Sequence, residues 1–149
     1  MNIESTILSN LIHNEAFARK VIVFLKDEYF QDNTEKVVFT EIQKFYSKYN
    51  DVPSKEALGI AIDEREDLNA SVYTDAEALI GSLDAVDNNE QWLLDETEKF
   101  CKDKAVYNAI MESIEIIDGK KGDQSQGAIP ELLADALGVT FDNHVGHDF

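Results

Sequence analysis

The chain has 149 residues, 44% of them hydrophobic and 29% charged, and thirty acidic residues against thirteen basic ones leave a formal charge of −17. That length and composition suit one globular domain with a real core, since a domain of this size buries roughly 70% of its unfolded surface. The acidic excess argues against direct binding to a nucleic-acid duplex or an anionic membrane, because both need clustered lysine and arginine.

Helical periodicity dominates and strand alternation is nearly absent. A first helix is expected near 3–12, with Ile3, Ile7, Leu8, Leu11 and Ile12 on one face. A second covers about 14–25, where Phe17, Val21, Phe24 and Leu25 recur at helical spacing. "VIVFL" alone would suit a strand, but the flanking "EAFARK" is strong helix-former sequence. Asp32 with Glu35 three residues on resembles an acidic capping box and opens a third helix to about Tyr49, with Val38, Ile42, Phe45 and Tyr49 on one stripe. Pro53 then disfavours helix at Val52, and Ser54 can cap a fourth helix whose apolar side is Leu58, Ile60, Ala61 and Ile62.

Thr74 and Glu77 form another capping-box pattern and predict a helix over 74–86. Asn88 with Gln91 predicts the start of the longest pattern, about 89–117. Its apolar positions Leu93, Phe100, Tyr107, Met111 and Ile114 fall on steps of three, four or seven, interrupted by Thr97 and Lys104. This spacing suits antiparallel packing against the preceding helix, a helical hairpin over 74–117. Leu79, Leu83, Trp92, Leu93, Phe100, Tyr107, Met111 and Ile114 are its candidate interface, and a second copy would complete the apolar faces that two helices leave open. The polar, glycine-punctuated "DGKKGDQSQG" marks a flexible linker, taken as 119–128, and Pro130 stands in the first turn of a terminal helix. The expected architecture is therefore all-α: a helical domain over 1–118 with a protruding hairpin, a linker, and a detached helix beginning the 129–149 segment.

No catalytic constellation emerges. "GKKGD" lacks the spacing of a phosphate loop, and there is no GxGxxG, GxSxG or CxxC. His144, His147 and Asp148 offer a His-x-x-His step, but beside Gly146 in a tail they read as solvated residues and not as metal ligands. His13 reads as a turn or capping residue, and the single Cys101, mid-helix, as a small packed side chain. "IDERED" and "DNNE" lack calcium-loop spacing. Asp95 and Glu98 can pair with Lys99 and Lys102, four residues on, along an exposed face. Trp92 reads as a core anchor, with an interface anchor as its rival. One cysteine, no basic leader and no apolar run near ~20 residues suggest a soluble, cytoplasmic protein.

The stretches "ILSNLIHNEAFARKVIVFLKDEYF", "FTEIQKFY", "VPSKEAL" and above all "GAIPELLADALGVTFDNHVGHDF" resemble, in order, the N-terminal part of the T-even-type phage replicative DNA helicases of the hexameric DnaB class. The resemblance implies a helical collar domain that assembles through paired hairpins, associates with primase, and resides in the host cytoplasm. It also implies that the 129–141 helix docks on the motor domain of a neighbouring subunit through Ile129, Leu132, Leu133, Leu137 and Phe141. A whole family member is an ATP-dependent 5'-3' DNA helicase. Here the Walker motifs and DNA-binding loops are missing, so the chain is expected to be a fragment without ATPase or unwinding activity, ATP and Mg belonging to the absent motor domain. Two other readings compete. A free-standing acidic phage interaction protein or DNA mimic would use the −17 charge, yet its acids are scattered among lysines. A small hydrolase would have to be built on the tail histidines.

Overall fold

The computed structural model describes residues 2–120 and 125–141. These form seven α-helices: α1 (Ile3–His13), α2 (Glu15–Val21), α3 (Asn33–Tyr49), α4 (Lys55–Asp63), α5 (Ala70–Ser82), α6 (Glu90–Ile117) and α7 (Ile129–Leu137). Short 3-10 turns cover Asp27–Tyr29 and Gln126–Ala128. No strand occurs among the described residues, so the all-α expectation holds. The chain divides into two units, 1–94 and 95–149.

In the first unit α3 is the hub. It packs on α1, α4, α5 and the 3-10 turn that precedes it, while α2 packs on α1 and α5 on α4. The six residues from Ile7 to Ile12 are all buried, so α1 is covered nearly all round. Phe17, Phe30 and Phe39 are the largest fully buried side chains, and the Phe30 and Phe39 rings stack with centroids 4.9 Å apart. Burying one such side chain stabilises by roughly 1.5–3 kcal/mol.

Capping residues set most helix boundaries. Asp32 accepts from the Glu35 N–H at 3.1 Å and Ser54 from the Ala57 N–H at 3.0 Å, both as the sequence predicts. Asn14 closes α1 through its N–H to the Asn10 carbonyl and caps α2 through its side chain to the Phe17 N–H. The second helix is shorter than its periodicity suggests. It stops at Val21 and gives way to a turn and the Asp27–Tyr29 3-10 segment, which lets Leu25, Tyr29 and Phe30 all turn inward. At the end of α3, Asn50 takes the left-handed conformation, φ 54°, and its N–H returns to the Tyr46 carbonyl.

Two predicted starts are displaced. The fifth helix begins at Ala70, because Asn69 caps the Val72 N–H at 2.8 Å and asparagine outranks threonine as a cap. The long helix is capped by Asn89, whose side chain accepts the Trp92 N–H at 2.9 Å. Asn88 instead receives a hydrogen bond from the Asn10 amide at 3.0 Å.

The first arm of the hairpin expected over 74–117, α5, lies against α3 and α4 and buries Ala76 and Ile80 in the first unit.

In the second unit α6 ends in a Schellman motif. The Lys120 N–H bonds the Glu115 carbonyl at 2.9 Å and the Gly119 N–H the Ile116 carbonyl at 3.1 Å, with Gly119 at φ +79°. Glycine there terminates the helix, a local role beyond that of a linker residue. Residues 121–124 of the expected linker lie outside the described residues.

Candidate interaction site

The apolar seam predicted along α6 has two fates. Leu93 and Phe100 are buried, whereas Tyr107, Met111 and Ile114 are 49%, 43% and 45% exposed. Thr97 and Cys101 are buried beside the first pair, while in the second half burial passes to Ala109, Ser113 and Ile116. At 3.6 residues per turn the buried side has moved by about 140° around the axis. The seam is therefore left open from Tyr107 onward, where Ile110 and Ile117 widen it into a stripe of five exposed apolar side chains. Exposed apolar stripes of this kind mark contact surfaces. Of the other candidate hairpin residues, Leu83 is buried, Leu79 half-buried and Trp92 46% exposed.

The terminal helix is not detached. Glu98, in the third turn of α6, accepts the Thr140 hydroxyl at 2.7 Å and the Phe141 N–H at 2.8 Å on the same carboxylate oxygen. Those two donors hold the Glu98 carboxyl below its usual range, with a lesser pull from Lys102. Of the lysines expected to pair along this face, Lys99 forms an ion pair with Asp103 at 3.3 Å. On α7, Ala136 is buried, Ile129, Leu132, Leu133 and Phe141 are half-buried, and Leu137 is 63% exposed. Sequence spacing pointed at Lys102 as the partner of Glu98; no local signal indicates a partner more than forty residues away.

The first unit carries a polar cleft of about 510 Å³ lined by Asn10, His13, Asn14, Glu15 and Asp87. Its groups are engaged in holding the 83–89 loop on α1. His13 Nε2 donates to the Leu83 carbonyl at 2.7 Å, and Asn10 bridges the Thr6 carbonyl and Asn88. His13 thus exceeds the local turn role expected of it. A second knot ties α2 to the end of α3. Arg19 pairs with Glu15 at 2.7 Å, donates to the Asn50 carbonyl at 3.0 Å and to the Tyr46 hydroxyl at 3.2 Å, and lies over the Tyr46 ring. A third joins α3 to the chain after α4: the buried Glu41 accepts from Arg65 at 3.0 Å, and Arg65 also grips Asp67 at 2.6 Å.

None of these clusters has the arrangement of a nucleophile and base. Burial pushes the Cys101 thiol up to about 12, which makes it a packed residue and not a reactive one. Among the described residues no group of three His, Cys, Asp or Glu side chains is placed to hold a metal ion. His144, His147 and Asp148 lie outside the described residues. Nor is any described helix long and apolar enough to cross a membrane.

No family model matches the sequence. In agreement with the resemblance read from the sequence, the chain is 34% identical over 151 aligned positions, 96% of its length, to the DnaB-like replicative helicase of Enterobacteria phage T4, of which it spans about a third (32%).

Proposed function

We propose that the chain is the N-terminal collar module of a phage replicative helicase and serves DNA replication by assembling with copies of itself and associating with primase. The observation that carries this reading is the 34% identity sustained across 96% of the chain. Hydrolysis of ATP with Mg, and unwinding, belong in this reading to a motor domain and not to the helical module. The exposed stripe Tyr107, Ile110, Met111, Ile114 and Ile117 supports self-assembly, since a ring-forming subunit needs an apolar surface that its own core leaves uncovered. The exposed Leu137 and the half-buried Ile129, Leu132, Leu133 and Phe141 support a docking role for the terminal helix on a neighbouring motor domain.

Multi-angle light scattering across a concentration series, with a binding assay against the primase of the same phage, tests the proposal. The expected outcome is concentration-dependent association that Ile114→Glu reduces by at least about tenfold, as expected when one charge enters a small apolar contact, together with primase binding. A monomer at every concentration that also ignores primase would overturn it.

A further inference from the structure

A nine-residue helix such as α7 is marginal in water by itself, and α7 has no side-chain N-cap. Its order must come from tertiary contacts. The polar contact that the second unit supplies is specific: two donors from successive residues, Thr140 and Phe141, converge on one oxygen of Glu98 at 2.7 and 2.8 Å. Charge-assisted hydrogen bonds of this kind are short, directional and roughly twice as strong as neutral ones. On the same helix the nearby Lys99 is paired with Asp103 at 3.3 Å. Meanwhile Leu137, at the end of α7, stays 63% exposed, so the docked helix still presents an apolar side chain outward.

We propose that Glu98 is a releasable latch whose occupant is this chain's own 129–141 segment, giving that helix a seat in cis on α6. The second seat for the same helix, on a neighbouring subunit, rests on the collar reading above; the cis seat does not. A helix with two seats is held in a defined place until the other surface is offered, and the carboxylate is a suitable catch. Its two bonds fall on the short stretch just beyond the helix end, where they can break without unravelling α7 or α6. The closing contact is local, whereas the helix it positions carries the apolar side chains.

Hydrogen–deuterium exchange on the 149-residue chain tests the latch, and it needs neither primase nor motor domain. Glu98→Ala should speed exchange of the amides over 132–141 by at least about tenfold, the scale of a lost pair of charged hydrogen bonds, and leave those over 104–116 unchanged. Thr140→Val, which removes one donor and keeps the carboxylate, should give a smaller increase in the same region. Unchanged exchange over 132–141 in both variants would overturn the proposal. Should Glu98→Ala also loosen α6, Thr140→Val decides: faster exchange confined to 132–141 supports the latch, and unchanged or chain-wide exchange overturns it. Failure of self-assembly and primase binding in the scattering experiment would remove the second seat and leave this result standing.

Discussion

Ser9 lies on the fully covered α1 with a hydroxyl that has no hydrogen-bond partner, the sole buried side-chain polar atom of that kind among the described residues. An orphaned buried hydroxyl carries its desolvation cost, and serine is a poorer helix former than alanine. Ser9→Ala should therefore raise the unfolding free energy by about 1 kcal/mol, seen as a higher denaturant midpoint at unchanged slope. A lower midpoint would mean that the hydroxyl is in use. Asp67 supplies the pH-dependent counterpart. The Arg65 guanidinium holds its carboxyl down at about 2. A folded value below the unfolded one gives stability that is present above the unfolded pKa, near 4, and is lost as pH falls from there towards about 2. A carboxyl titration by NMR should place Asp67 near that low value, and Arg65→Met should return it towards that of an ordinary aspartate. No change in the Asp67 titration on removing Arg65 would refute the assignment. Neither residue could be singled out from sequence, because an unpaired hydroxyl and a gripped carboxylate are properties of neighbours.

At the level of elements, local chemistry was legible wherever a strong cap stood alone. Ser54 and Asp32 are such cases, and both helices begin where those residues indicate. Helix starts shift from the expected position where two caps compete within a few residues: Asn69 prevails over Thr74, and Asn89 over Asn88. The distinction is measurable. Asn69→Ala should cost about 1 kcal/mol in thermal or denaturant unfolding, whereas Thr74→Ala, inside α5 and exposed, should be neutral to within about 0.5 kcal/mol. Equal costs would place the helix start elsewhere. The second predicted helix shows the opposite failure: its periodicity was real, but inward packing of Leu25, Tyr29 and Phe30 after a turn satisfies the same residues better than a continued helix. A Schellman glycine and a loop glycine look alike in sequence, so the capping role of Gly119 shows only in its positive φ and its hydrogen bonds.

For the molecule as a whole, the sequence by itself determined the helical class, the positions of the main helices and the absence of recognisable catalytic motifs. Those properties follow from periodicity, capping and residue chemistry, which act over a few residues. It also determined that 93, 100, 107, 111 and 114 share one face of a long helix, since 3.6 residues per turn leaves no other arrangement. Only the tertiary structure decided which part of that face is covered. Leu93 and Phe100 are core while Tyr107, Met111 and Ile114 are surface, a division invisible to a pattern that treats all five alike. The same holds for α5, whose apolar residues serve α3 and α4, and for Glu98, matched by spacing to Lys102 and by the fold to Thr140 and Phe141. The physical reason is common to all three. An apolar or charged side chain specifies that it needs a partner, and the folded chain, through contacts distant in sequence, supplies the partner's identity.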